Sequence, residues 1–504
     1  MLRRMLLSML LPFLLFYALP VGAVEKEERT WQDEIIYLLM VDRFQNGDST
    51  NDLEINTQDP LAYQGGDFQG IIDQLDYIQD MGFTTIWLTP VFSNEAGGYH
   101  GYWIENFYET EAHFGTIDKF KELVKEAHKR EMKVMIDFVA NYVGPNHPWV
   151  ADEAKKDWFL EEKAEVEPMW FQGLPKLNHA NPEVKQYLMD AAVWWITETD
   201  IDGYRLHAVN EAPVDFWKDF SKEVKAVKDN FFLLGQVRSD NPQDYLQYEK
   251  AGIDGFLDYP LHQPIRKAFA KPDASLDELF AILDKGQEIY QQPSFMGAFF
   301  DDHEMKRFTR DMVENNEFPG GRWKLALSFL YTIPEIPVVY YGTEIAIDGG
   351  EAPDNQKMMN FRSEKELVDY ITRLGEVRSQ YPALTKGNLT LLESKNGLAV
   401  YKRQFEDETI VIAINNTTED QKVSLTADQL ENDKELRSLI GTDMSRSENG
   451  TYQFVIKRES SDIYKLENRS GINYFFVFSI FAVFLLFSLF MYAAWKRGKR
   501  RTTS

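Results

Sequence analysis

Ile117-Asp-Lys-Phe120-Lys-Glu-Leu123-Val124-Lys-Glu-Ala127-His-Lys-Arg130, followed by Lys133-Val-Met-Ile-Asp137-Phe-Val139, is the stretch that decides the fold. Phe120, Leu123, Val124 and Ala127 recur at spacings of three and four, the period of a helix with one apolar face. Lys133–Val139 is a short apolar run and reads as a strand buried on both faces. A helix that leads straight into such a strand is the unit of a parallel sheet, whose strands need crossover connections. Working outward, similar runs occur at Ile35–Val41, Thr85–Thr89, Ile201–His207, Phe231–Val237, Gly255–Tyr259, Met296–Asp302 and Ile336–Tyr341. Helical patterns such as Glu183–Glu198 lie between most of them. Eight βα units over about 350 residues predict a (β/α)8 TIM barrel rather than an open doubly wound sheet.

The barrel is expected over residues 24–385. One connection within it, 142–181, is too long for an ordinary βα loop and is rich in Pro, Trp and charge. It is expected to fold as a small excursion domain after the third strand. From residue 386 the pattern changes to alternation in Leu398–Phe405, Thr409–Asn415, Lys422–Leu425 and Thr451–Lys457. This predicts a C-terminal antiparallel β domain over 386–459, with a polar linker at 460–473.

The two ends predict a place in the cell. Arg3 and Arg4, the apolar run Met5–Leu19 and the small residues before Val24 have the layout of a secretory signal over 1–23, cleaved after Ala23. An uncleaved anchor is the alternative. Tyr474–Ala494 contains no charge over 21 residues, enough for one C-terminal transmembrane helix. The basic tail 495–504 follows, so the positive-inside rule puts the tail in the cytoplasm and the main domain outside a cell membrane. Net charge is −26. Setting aside +2 in the signal and +5 in the tail leaves −33 on residues 24–473. So acidic a domain excludes nucleic acid as a partner, because phosphates need a basic footprint. The absence of cysteine excludes disulfides, zinc–thiolate sites and thiol catalysis.

The expected carboxyl ends of the strands, where a barrel of this kind carries its chemistry, read Asp137-Phe-Val-Ala-Asn141-Tyr142, Gly203-Tyr-Arg205-Leu-His207, Leu234-Gly-Gln236-Val and Phe300-Asp-Asp302-His303-Glu304. With His100, Gly101-Tyr102-Trp103 and the long insertion, they resemble the signature regions of the α-amylase family, glycoside hydrolase family 13. The likeness covers roughly residues 30–460 and looks closest to bacterial secreted α-amylases. It implies sugar-binding roles for His100, Tyr102, Trp103, Arg205 and His303.

The departures fall on the chemistry. Active members carry a carboxylate nucleophile, a Glu acid/base and an Asp where this chain has His207, Gln236 and Glu304. Tyr142 and Asp302 replace a His and an Asn, and Asn210 and Glu211 replace a Lys and a His. Retaining cleavage of a glycosidic bond needs one carboxylate to attack and one carboxylic acid to protonate the leaving oxygen. An amide at 236 has no proton to give. Asp200, Asp202, Glu211, Asp240 and Asp301 are the nearby acids, but Arg205 and His303 fix the register against a slipped alignment. No intact catalytic set is expected.

The resemblance also implies calcium. Asn46, Asp48, Asn51, Asp52, Gly65 and Asp67 match a calcium loop after the first strand, and oxygen ligands on a short loop suit a hard cation. A polar turn with side-chain caps is the plainer reading. A second family calcium bridges the excursion to the barrel. Two of its ligand positions here are Lys176 and Glu211, so an ion pair is expected to replace the ion. The resulting expectation is a membrane-anchored member without hydrolysis, which binds α-glucan or maltooligosaccharide or serves as a surface scaffold for a membrane-protein partner. Amino-acid transporter heavy chains, degenerate members of the same family, are a fold-level analogy for the scaffold. An active α-glucan hydrolase is the alternative.

Overall fold

The computed structural model describes residues 29–164, 171–469 and 474–501. The expected signal, 1–23, lies outside the described residues.

Eight parallel strands appear where apolar runs were expected: β1 (Ile36–Leu39), β2 (Thr85–Leu88), β3 (Lys133–Phe138), β4 (Gly203–Leu206), β5 (Phe232–Gly235), β6 (Gly255–Phe256), β7 (Gly297–Phe299) and β8 (Ile336–Tyr340). Their hydrogen-bonded order is β6-β5-β4-β3-β2-β1-β8-β7. A parallel bridge between Leu257 and Gly297 joins the two ends and closes the barrel. β1 pairs with both β8 and β2, through Ile36 against Val338 and Thr85. β3 and β4 place Asp137 directly beside Arg205.

The strands are buried on both faces because helices cover the outside. Helix α1 (Ile117–Lys129) buries Phe120, Leu123, Val124 and Ala127, the stripe read from the sequence. Thr116 caps its first turn by accepting from Lys119 N. Helix α2 (Pro182–Thr199) starts with Pro182 behind the cap Asn181 and buries Leu188, Trp195 and Ile196.

Between β3 and α2 the excursion forms a hairpin, Phe159–Lys163 against Pro175–Leu177. A bridge from Lys176 to Tyr142 ties this hairpin to the exit of β3. Phe171, shortly before the second of these strands, is thereby brought against His207 and Tyr102 at the carboxyl end of the barrel.

The β domain comprises a six-stranded antiparallel sheet and a two-stranded one. Its last strand, Ser460–Asn468, corrects the expectation of a linker from residue 460. The strand pairs with Glu408–Asn415 on one side and Lys434–Ser438 on the other. Serines and charges at its start and outer face hid Ile463, Tyr464 and Leu466, which are buried in the sheet.

A buried arginine joins this domain to the barrel through main-chain carbonyls. Arg403 donates to the Thr332 and Gly387 carbonyls at 2.6 and 2.8 Å. Within the barrel, Arg378 reaches those of Tyr331 and Glu335 at 2.9 and 2.8 Å. Burial, with Arg378 nearby, lowers the Arg403 guanidinium to about 9.

Helix α3 (Tyr474–Arg501) ends the described chain. The apolar side chains described on it are exposed, Phe478, Phe481, Phe484, Phe487 and Phe490 among them. Among the described residues no helix is long and apolar enough to cross a membrane.

Candidate functional site

Successive strand residues point to opposite sides. Tyr204 therefore points outward, its hydroxyl donating to the Ala192 carbonyl of α2, while Arg205 and His207 point into the barrel mouth. The same alternation brings in Asp137 from β3 and Gln236 and Arg238 after β5, and the turn after β7 brings in His303 and Glu304. All but Arg238 are buried.

Glu304 is the hub. Its Oε1 accepts from Arg205 Nη2 at 3.3 Å and lies 3.3 Å from His207 Nδ1. Its Oε2 accepts from Gln236 Nε2 at 2.7 Å and from Arg238 Nη2. Arg205 Nη1 donates to Asp137 Oδ2 at 3.0 Å and meets His207 Nδ1 at 2.8 Å. The Gln236 amide is fully used: Nε2 also donates to the Tyr259 hydroxyl at 2.8 Å, and Oε1 accepts from Ala208 N at 3.1 Å. Tyr102 donates to Asp137 and meets His303 Nε2 at 2.6 Å. His100 stands 6.1 Å from Tyr102 and 5.0 Å from half-buried Trp103, ring centre to ring centre. Gly101, at φ +89°, passes so close to Pro90 O that a Cβ would sit 2.3 Å away, which folds this corner under the mouth.

Burial opposes the charge on Glu304, but Arg238, Arg205 and His207 together outweigh it and hold the carboxyl well below its usual range. Burial lowers His207 to about 4 despite the attraction of Glu304. Burial likewise takes His303 to about 3. Burial and then Glu304 raise Asp302, which accepts from Glu304 N at 2.8 Å. At neutral pH the mouth therefore contains Glu304 shared between two guanidiniums, Asp137 paired with Arg205, Asp302 raised to about 7, and neutral imidazoles.

The positions expected to be catalytic are thus brought together, but as a hydrogen-bonded network. The residues expected to bind sugar also converge: His100, Tyr102, Arg205 and His303 are all at most 2% exposed. Above them Phe171, itself buried, packs 4.7 Å from His207 and 4.9 Å from Tyr102. Sequence reasoning missed Phe171, Arg238 and Tyr259. Arg238 was accessible, because it follows Gln236 by two and so shares its side of the strand. Nothing local marks Phe171, whose ring contacts with Tyr102, Tyr142 and His207 are distant in sequence.

At the expected calcium loop, Asp67 caps a helix, accepting from Gly70 N at 2.6 Å and from Asp48 N and Gly47 N at 2.8 and 3.0 Å. Asp48 accepts from Thr50 N, and Asn46 Nδ2 donates to Asp52 Oδ1 at 2.7 Å. Gly65 adopts φ +93°, and Asn51 Oδ1 is buried with no partner. Among the described residues no three His, Cys, Asp or Glu are grouped to hold a metal. A mixed set of amide, carboxylate and carbonyl oxygens that includes the orphaned Asn51 Oδ1 nevertheless suits a hard cation. At the second position the expected ion pair is present, with Lys176 Nζ 2.9 Å from Glu211 Oε2. Asn141 Nδ2 donates to the His207 and Ala208 carbonyls at 2.9 and 2.8 Å.

The profile of the α-amylase catalytic domain matches residues 38–451. A solved Anoxybacillus α-amylase is 53% identical, with a TM-score of 0.86 over 88% of this chain and 100% of that one. The cyclomaltodextrinase of Geobacillus thermopakistaniensis is 33% identical over 79% of this chain and 71% of its own. The beta/alpha-amylase of Paenibacillus polymyxa is 34% identical over 86% of this chain, which spans only 38% of that longer protein.

Glu304→Gln would leave Arg205 and Arg238 facing each other without a shared anion. The expected cost is about 3–5 kcal/mol, the range for breaking a buried pair. A depressed carboxyl stabilises the fold above the unfolded glutamate range and loses that contribution as pH falls through its folded value. Urea unfolding at pH 7 and pH 4 reads both effects: the gap between the proteins should narrow at pH 4. Equal stability at pH 7 would show that Glu304 is not the hub.

Proposed function

This chain belongs to the α-amylase family, and from that premise we propose that it is a member without hydrolytic activity, held at a membrane, whose mouth retains a place for α-glucan. The observation that carries this reading is the amide of Gln236 donating to Glu304 at 2.7 Å. Where cleavage requires a proton donor beside a separate attacking carboxylate, this mouth has an amide that gives up no proton, and its carboxylate is neutralised by two arginines. His207 could attack only through a neutral ring in a site that must stabilise positive charge on the sugar. Loss of general acid catalysis alone removes about 10²–10⁴ in rate.

The names of the relatives favour the other reading, an active hydrolase of α-1,4-glucans; a cyclomaltodextrinase and an α-amylase stand among them. Maltoheptaose incubated with the full chain in detergent and calcium decides between the two. No release of shorter oligosaccharides is expected. Release above the buffer rate would discard the proposal in favour of the hydrolase.

Two further parts of the reading have their own support. The exposed phenylalanines of α3 find no solvent in water that suits them, and the sequence around them is uncharged for 21 residues before a basic cluster. We read α3 as a single membrane anchor with the acidic domain outside the cell. The full chain should stay with membranes after alkaline carbonate extraction, and a chain ending at residue 470 should be released. Release of both would refute the anchor. For the loop at 46–52, Asn51 Oδ1 supports one bound Ca²⁺, with Asn46, Asp48, Asp52, Asp67 and the Gly65 carbonyl as its other ligands. EDTA should lower the melting temperature by a few degrees, and added calcium should restore it. A melting curve indifferent to both would leave the loop as a set of polar caps.

A further inference from the structure

Phe171 is an apolar ring set among groups that want hydrogen bonds. It is fully buried, and its ring centre lies 4.7 Å from His207, 4.9 Å from Tyr102 in an edge contact, and 5.6 Å from Tyr142. His207 Nε2 and the Tyr142 hydroxyl are both buried with no hydrogen-bond partner, as are His303 Nδ1 and Asp302 Oδ2 deeper in the mouth. Such groups are normally satisfied in a folded interior, and each one left bare costs about 1–3 kcal/mol. Two of them border the same phenyl ring, which can satisfy neither.

The chemistry of the missing partner follows from these groups. His207 Nδ1 meets Arg205 Nη1 at 2.8 Å and lies 3.3 Å from Glu304 Oε1, so Nε2 is the ring nitrogen left to face a ligand, a donor in one tautomer and an acceptor in the other. The Tyr142 hydroxyl both donates and accepts. A ligand that replaced the phenyl group without loss would be a six-membered ring of similar girth, apolar on its faces and carrying hydroxyls at its edge. A pyranose fits that description, whereas an anion would meet Glu304 and Asp137, and a cation Arg205 and Arg238.

We propose that Phe171 is a built-in occupant of a pyranose site: one hexose unit of a maltooligosaccharide competes with the phenyl ring for the pocket formed by Tyr102, Tyr142 and His207, and Phe171 sets the affinity. The inference rests on the non-hydrolytic reading above, because it treats the mouth as a place of binding without cleavage. Phe171 thus acts on specificity from the excursion hairpin, without taking part in any bond change.

The test is calorimetric titration of the full chain in detergent with maltotriose, for the unaltered protein, Phe171→Ala and the milder Phe171→Leu. Shortening the ring should tighten binding at least tenfold, and Tyr142→Phe added to Phe171→Ala should give back most of that gain. An affinity within twofold of the unaltered protein for both truncations overturns the proposal. So does a Phe171→Ala protein that takes up benzyl alcohol but not maltotriose, since the pocket would then be an apolar void. Should Phe171→Ala not fold, Phe171→Leu alone decides by the same tenfold and twofold limits. Chromatography of the sugar after titration separates the two ideas. Cleaved maltotriose refutes the absence of hydrolysis, while the change in affinity still judges Phe171.

Discussion

The barrel mouth depends on one buried negative charge. Glu304 accepts hydrogen bonds from two arginines and an amide, and those partners define where everything else can sit. Arg205, anchored on Glu304, also grips Asp137; Asp137 in turn receives Tyr102, and Tyr102 holds His303. Two guanidiniums face Glu304 and Asp137, burial raises Asp302 to about 7, and burial keeps the histidines neutral. In a low-dielectric interior, such balance is what makes several buried ions tolerable. A carboxylate in place of Gln236 would stand within hydrogen-bond distance of Glu304, and one of the two would have to take up a proton.

On the non-hydrolytic reading, that arrangement is poor for catalysis for the same reason that it is good for stability. A glycosidase mouth needs groups whose protonation changes during the reaction, with environments that push two carboxyl groups apart in acidity. Asp302 and Glu304 are pushed apart here, but the difference has no evident use. Asp302 is turned to the backbone of Glu304, and Glu304 is locked by its cations.

The eight strands and the amphipathic helices were legible in the sequence because burial imposes short-range periodicity. Phe120 to Ala127 on α1 and the apolar run of β3 emerged where the spacing put them. The Lys176–Glu211 pair was legible through the family resemblance, since a cation at a ligand position leaves only a counter-ion as partner. The strand Ser460–Asn468 was not legible: its buried Ile463, Tyr464 and Leu466 lie between serines and charges, and its place in the sheet is fixed by two partner strands far away in sequence. Phe171 was hidden for a similar reason. It lies in a turn, where no periodicity applies, and its meaning comes from Tyr102, Tyr142 and His207, which only the closed barrel brings around it.

Likeness of fold and likeness of chemistry can come apart in a barrel of this kind because they rest on different atoms. The free energy that closes the barrel comes from dozens of buried side chains on β1 to β8 and the helices outside them, and a chain 53% identical to an Anoxybacillus α-amylase preserves ample apolar area for that purpose. Bond cleavage rests on a few oxygen atoms at strand ends, whose replacement hardly touches the core. Such replacements are stable only if the desolvated mouth is made neutral again, and the two arginines around Glu304 accomplish that. The excursion hairpin then covers the repaired mouth with Phe171, a ring of about the right size and the wrong polarity. The unsatisfied Tyr142 hydroxyl and His207 Nε2 beneath it remain as the outline of a ligand richer in hydroxyls than the one the chain itself provides.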